Sequence, residues 1–239
     1  MKVVFFTGAG VSAESGIKTF RDTNGLWEES SIEEVCNIET WELNKEAVFK
    51  FYSERRKDLE KAKPNHIHET IAKIQKLLGS ENVEILTQNV DDLFERAGCE
   101  NVIHLHGFLR EMRCLSCGEI FDIGYEESTT KDKCPKCGEQ NLKPNIVFFG
   151  ENAPKYHFLN RSLRFIDNND IFIVMGTMGN VIPIDWKLNN TFYKPITILN
   201  NLEPSPFLKE ETFDYIFYEK GTSAIDKIEK IIMSKVSMY

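Results

Sequence analysis

Two short cysteine hooks, Cys114-Leu115-Ser116-Cys117 and Cys134-Pro135-Lys136-Cys137, constrain this chain more than any other feature. Sixteen residues separate them, and each runs into a glycine, Gly118 or Gly138, where the backbone can curl and aim amides at the sulfurs. Two such hooks supply four thiolates at roughly 2.3 Å around one tetrahedral ion. A closed set of four protein ligands leaves no open position. The expectation is one structural zinc on Cys114, Cys117, Cys134 and Cys137, not a catalytic ion. The rivals are a redox dithiol, which ordinarily comes as a single Cys-x-x-Cys beside a βαβ unit, and two disulfides. A nucleic-acid-binding ribbon would need a basic stripe, but residues 107–143 hold six Lys/Arg against seven Asp/Glu. Cys36 and Cys99 lie outside the pattern and are expected to be small buried residues.

Around the hooks, short apolar runs alternate with helical periodicity. Val3–Phe6, Val83–Leu86, Val102–Leu105, Asn145–Phe149, Asp170–Met175, Ile196–Leu199 and Phe213–Tyr218 read as strands. Residues 45–62 read as a helix through Val48, Tyr52, Arg55 and Leu59, broken by Pro64. Asn65 can cap a second helix with the stripe Ile67, Ile71, Ile74 and Leu78, stopped by Gly79. Val90–Ala97 reads as a short helix, and Ser223-x-x-Asp226 as a capping box opening the last one. This alternation predicts an α/β fold: a Rossmann-type, mainly parallel sheet with a small inserted zinc-binding domain and a helical elaboration. The expected division is 1–26, 80–106 and 144–239 for the sheet, 27–79 for the helical part and 107–143 for the zinc module.

The net charge of −8 argues against a general nucleic-acid binder, and no apolar run approaches the roughly 18–20 residues that span a bilayer. Residues 1–6 carry a positive charge and an apolar stretch, but one too short for an export signal. The expectation is a cytoplasmic protein with reduced cysteines.

Gly8-Ala9-Gly10-Val11-Ser12-Ala13 matches G-x-G-x-x-G/A directly after a strand. The first glycine permits the tight turn, the second lets a pyrophosphate approach, and the small third residue lets helix pack on strand. A dehydrogenase would next show a strand ending in Asp or Glu about 20 residues on. Here the chain runs Phe20-Arg21-Asp22-Thr23-Asn24-Gly25-Leu26-Trp27, a polar turn that counts against hydride transfer and suggests a loop over a nucleotide.

With these residues in view, the chain resembles the sirtuin family. Gly8 to Ile17 with Phe20-Arg21 is similar to its first signature, and Thr87-Gln88-Asn89-Val90-Asp91 and Leu105-His106-Gly107 to its catalytic motifs. The four cysteines, Lys143-Pro144, Phe149-Gly150-Glu151, Gly176-Thr177 with Val181 and Pro183, and Asn201-Leu202-Glu203-Pro204 follow in the family's order. The resemblance implies NAD as a consumed co-substrate and acyl-lysine-bearing proteins or peptides as partners, with no membrane and no direct nucleic-acid contact. It implies His106 as catalytic base, with Asn89 beside it. It places Gly8, Ala9, Gly10, Ser12, Gly16, Phe20, Arg21, Trp27, Gln88, Asn89, Val90, Asp91, Gly176, Thr177, Met178, Asn201, Leu202, Glu203 and Ser223 around the nucleotide. Met178 stands where serine usually follows Gly-Thr, and His104 where many members have Glu.

The implied reaction is removal of acyl groups, acetyl or succinyl, from lysine, giving nicotinamide, free lysine and O-acyl-ADP-ribose. The acyl oxygen displaces nicotinamide, and His106 then takes a proton from a ribose hydroxyl; an imidazole with its ordinary pKa near 6.5 suits that task. Phe149, Gly150, Glu151 and Val181 would clamp the peptide as an added strand. Tyr52 and Arg55 share a helix face, with Arg56 pointing elsewhere, and Tyr-x-x-Arg resembles the mark of the desuccinylase-like branch. Cys36 stands where that branch commonly has alanine. A mono-ADP-ribosyltransferase and a non-catalytic nucleotide sensor are the rival readings.

Overall fold

The computed structural model describes residues 1–18, 26–27 and 30–237, with 26–27 and 30–33 described by backbone alone. In chain order the elements are β1 (Val3–Thr7), α1 (Gly10–Ala13), β2 (Leu26–Trp27), β3 (Ser30–Ser31), α2 (Ile32–Val35), α3 (Lys45–Lys61) and α4 (His66–Leu78). Next come β4 (Val83–Thr87), α5 (Leu93–Arg96), β5 (Val102–His104), β6 (Gly107–Cys114), β7 (Ile120–Asp122) and β8 (Leu142–Ile146). The chain ends with α6 (Tyr156–Arg164), β9 (Ile171–Met175), α7 (Ile184–Asn189), β10 (Ile196–Asn201), β11 (Tyr215–Tyr218) and α8 (Gly221–Val236).

Six strands form one sheet in the order β11-β10-β9-β1-β4-β5, all parallel. Alternation along β1 explains its central place. Val3 and Phe5 point into a cluster with Ile67, Ile71 and Ile74 of α4 and Ile225, Ile228 and Ile232 of α8. Val4 and Phe6 point the other way, into Leu159 and Leu163 of α6 and Ile184 and Leu188 of α7. A strand covered on both faces must be apolar at every position, which is how Val3–Phe6 reads.

A second, three-stranded antiparallel sheet, β7-β6-β8, carries the cysteine hooks. Its apolar side joins α3 in a separate core, where Val48, Phe49 and Tyr52 meet Leu109, Met112 and Phe148.

Several expectations are corrected in detail. The predicted strand at 145–149 is β8, ending at Ile146, because it pairs with β6 inside the inserted module and not with the large sheet. The helix 66–78, expected with the helical part, packs on the large sheet through its isoleucine stripe. The short helix expected over Val90–Ala97 is confined to Leu93–Arg96. Asn65 does cap α4, accepting from the Ile67 amide at 2.9 Å, while the His68 ring accepts from the Asn65 amide at 3.2 Å. The last helix does not start on a Ser223 capping box. It begins two residues earlier at Gly221, and Glu14 from the far end of the chain takes the Thr222 amide (3.1 Å) and hydroxyl (2.6 Å). A carboxylate at that end also favours the helix dipole. Among the described residues, no helix is long and apolar enough to cross a membrane.

Candidate active site and metal centre

The sheet order reverses at β1 and β9, and the loops leaving the carboxyl ends of the strands collect along one edge. Open parallel sheets bind ligands at such a crevice. Gly8-Ala9-Gly10 leaves β1, Gln88-Asn89-Val90-Asp91 leaves β4, and Leu105-His106 leaves β5. Gly176-Thr177-Met178 leaves β9, and Asn201-Leu202-Glu203 ends β10. Residues far apart in sequence thus meet because their strands end side by side.

Two turns cross closely here. A Cβ on Gly8 or Gly10 would lie 2.7 Å from Gly176 atoms, so glycine is required by space. The Gly10 amide donates to the Gly176 carbonyl at 2.9 Å. Around the crossing, Asn89 Nδ2 donates to Ser12 Oγ (2.9 Å), which donates to Asp91 Oδ2 (2.8 Å). Burial pushes the Asp91 carboxyl up, while the Ser12 bond works against that shift. Gln88 Nε2 donates to Thr177 Oγ1 (3.1 Å) and Asn201 Nδ2 to the Thr177 carbonyl (2.8 Å), locking three strand ends together. Asn65, the cap of α4, reaches back with Nδ2 to the Val11 carbonyl (2.8 Å) and Ser15 Oγ (3.0 Å). Its cap position was legible in the sequence; this second duty was not.

The two histidines separate cleanly. His104 is buried with both nitrogens engaged, Nδ1 at 2.8 Å from the Asn89 carbonyl and Nε2 at 2.7 Å from Glu95 Oε1. It fixes the Asn89 backbone. His106 is half-buried, and Nε2 lies 2.7 Å from the hydroxyl of Tyr156, a residue that carried no sequence signal. Burial pulls the His106 pKa to about 4, below the ordinary value expected for it, so the ring is neutral at pH 7.

On the opposite side, Tyr52 stacks on Phe148 with ring centroids 5.9 Å apart, beside the buried Cys36. Arg55 sits over the Phe51 ring at 5.0 Å and 3.6 Å from Asp58. Arg56 does not point away. It is the fully buried one, donating to the Glu126 carbonyl (2.8 Å), Ser128 Oγ (2.6 Å), Ser53 Oγ (3.0 Å) and the Leu109 carbonyl (3.4 Å). The reason is the helical turn: Arg56 shares a face with Tyr52, four residues before it.

The residues expected to face the peptide differ in their surroundings. Phe149 (44% exposed) and Val181 (47%) present side chains outward. The Phe149 amide and carbonyl, however, are already paired with Cys36 and Ile38 at 2.9 and 3.0 Å. Glu151 turns inward, accepting from the Phe148 amide (2.7 Å) and the buried Lys143 ammonium (2.8 Å). Gly150 is exposed, and so is Ser223, lying just beyond the amide that Glu14 takes. Gly16 takes positive φ after α1. Phe20 and Arg21 lie outside the described residues, and Trp27 is described by backbone only, paired with Ser30.

The four cysteine sulfurs lie within 4.8 Å of one another. Cys114–Cys137 and Cys117–Cys134 are 3.6 and 3.7 Å apart, against about 3.8 Å for the edge of a tetrahedron with ~2.3 Å zinc–sulfur arms. A disulfide needs about 2.0 Å, so the donor set fits zinc and not cystines. The hooks are built alike, with Gly118 donating to the Cys114 carbonyl and Gly138 to the Cys134 carbonyl, both at 2.9 Å.

Comparison with known proteins agrees with this layout. The profile of the Sir2 family matches residues 8–183. The NAD-dependent protein deacylase of Campylobacter jejuni is 47% identical over 226 residues, covering 95% of this chain and 93% of its own. That of Helicobacter hepaticus is 43% identical, covering 96% of each. Among solved structures, a mutant Sir2 homologue bound to ADP-ribose superposes with a TM-score of 0.83 at 34% identity, covering all of this chain and 94% of its own. A Sir2 homologue bound to NAD gives 0.80 at 35%, covering 98% and 90%. Sequence motifs, sheet-edge geometry and relatives converge, and the chain belongs to the Sir2 family.

Proposed function

We propose that this protein removes acyl groups from lysine side chains of proteins, consuming NAD and releasing nicotinamide, free lysine and O-acyl-ADP-ribose. One observation carries the reading: a neutral imidazole, His106, stands on the same sheet edge as the Asn89–Ser12–Asp91 chain and the crossed glycine turns. NAD, when bound, supplies a ribose carbon that loses nicotinamide and becomes the acceptor of the acyl oxygen. The glycine turns give backbone amides and room for the pyrophosphate. Gln88, Asn89 and Asp91 hold the nicotinamide-ribose end, and Thr177, Asn201 and Glu203 the adenosine end. His106 accepts a proton from a ribose hydroxyl. Cys114, Cys117, Cys134 and Cys137 would hold a zinc that closes the β7-β6-β8 module and, with no open position, would take no part in proton transfer.

The acyl chain enters beside Tyr52, Arg55 and Cys36, and the peptide lies along Gly150 and Val181. Arg55 selects carboxylate-bearing acyl groups such as succinyl. Six cysteines without a disulfide support a cytoplasmic setting.

The test is product identification by mass spectrometry with NAD and acetyl- or succinyl-lysine peptides. Equimolar nicotinamide, deacylated peptide and acyl-ADP-ribose are expected. ADP-ribose left on protein would favour the ADP-ribosyltransferase reading, and no turnover the sensor. Arg55→Met should lower kcat/KM for succinyl-lysine about 5- to 150-fold, the worth of one charged hydrogen-bond partner at about 1–3 kcal/mol. Acetyl-lysine turnover should barely change; equal losses would reduce Arg55 to a packing role.

A further inference from the structure

Tyr156 opens α6, on the loop that follows Gly150 and Glu151, and its hydroxyl lies 2.7 Å from His106 Nε2 with the rings 5.7 Å apart. The His106 ring also makes a hydrogen bond to the Gln88 backbone. A carbonyl only accepts, so the ring proton sits on the nitrogen facing Gln88, and Nε2 presents its lone pair. Tyr156 therefore donates to it. A lone pair on an imidazole nitrogen takes one donor at a time, and a ribose hydroxyl giving up its proton needs that same lone pair.

We propose that the Tyr156 hydroxyl is a displaceable cap on His106 Nε2, holding the place that the ribose hydroxyl takes when NAD and acyl-lysine are bound. The inference rests on His106 being the base. Tyr156 is then a positioning residue: in the free protein it keeps the imidazole in the working tautomer and orientation, and it leaves when substrate arrives. Burial of the ring, not a nearby carboxylate, lowers its basicity. A phenol donating to Nε2 bonds the neutral form and so favours it.

Tyr156→Phe and Tyr156→Met remove the hydroxyl while keeping bulk. With saturating acetyl-lysine peptide, the KM for NAD should fall about 2- to 12-fold, one neutral hydrogen bond of about 0.5–1.5 kcal/mol converted at RT. The kcat should stay within about twofold, because the cap is absent from the reacting complex. The acid limb of kcat/KM against pH should move upward; loss of packing that wets the ring would move it the same way, but would not lower the KM for NAD. An unchanged or raised KM in a folded variant, or a kcat that falls with kcat/KM, overturns the cap. Nitrogen NMR of the His106 ring in the unaltered protein reads the same contact directly: Nε2 without a donor before NAD is added also overturns it. His106→Asn separates the two readings. If that variant still turns over, the base assignment fails; if it is dead while both Tyr156 variants behave as wild type, the cap alone fails.

Discussion

Replacing Arg56 by Met tests how the zinc module is held to the helical part. The guanidinium is fully buried, and no ion pair reaches it among the described residues; burial lowers its pKa to about 10, so it stays charged at neutral pH. Its charge is compensated by hydrogen bonds alone. The bonds to Ser128 Oγ at 2.6 Å and the Glu126 carbonyl at 2.8 Å are short, and that to Leu109 at 3.4 Å is weak. At about 1.5–3 kcal/mol for each charge-assisted bond, the two short ones are worth about 3–6 kcal/mol. Relief from burying a charge returns part of this, and Met fills most of the volume, so the net loss should be about 3 kcal/mol. Denaturant unfolding of the zinc-loaded protein measures it, with hydrogen exchange of amides 126–128 as the local readout. Those amides should lose protection, and acyl-lysine turnover should fall while ADP-ribose still binds. A loss below about 1 kcal/mol, with 126–128 still protected, would refute the view that Arg56 clamps α3 to the module.

Cys134→Ala, or chelation, should unfold the β7-β6-β8 region and abolish deacylation, because forming the metal site is part of folding it; metal analysis far below one zinc per active chain would contradict this. ADP-ribose binding should outlast that loss, since the large sheet has its own cores on both faces. Burial pulls His68 down to about 4 from an ordinary 6.5, so the unfolded chain binds its proton first as pH falls. Stability should be whole above pH ~6.5 and decline toward pH 4, by the order of 3 kcal/mol for a shift of this size. His68→Gln, which can still accept the Asn65 amide, should flatten that acid slope in denaturant titrations; an unchanged slope would show that His68 is not its source.

What was legible in the sequence is what depends on local rules. β1 and the Asn65 cap follow from periodicity and capping chemistry, and the cysteine hooks from fixed spacing. The carboxyl edge of the large sheet was legible where its residues directly follow a strand, as Gly8, Gln88 and Gly176 do, whereas Ser223 lies inside α8. The failures share another cause. Arg56 and Tyr156 are decided by partners 70 and 50 residues away, and the start of α8 by Glu14, 208 residues from its partner Thr222. Nothing in the local pattern of an Arg-Arg pair tells which one faces inward when the apolar stripe can accommodate either. β8 was misplaced for the same reason, since its pairing with β6 comes from the metal-closed module and not from its own composition.

The sheet order has a bearing on how the protein is made. Of the six strands of the large sheet, β1 is synthesised first yet ends in the middle, between β4 and β9. Its left and right neighbours are synthesised about 80 and 170 residues later, so the first strand waits with an unpaired edge while most of the chain is still emerging. The Glu14 clasp on Thr222 closes only when the final helix has appeared. Non-local pairing of this kind slows folding. Partial chains therefore expose a sticky apolar ribbon, and the glycine turn meets the backbone that crosses it only once Gly176 has been made.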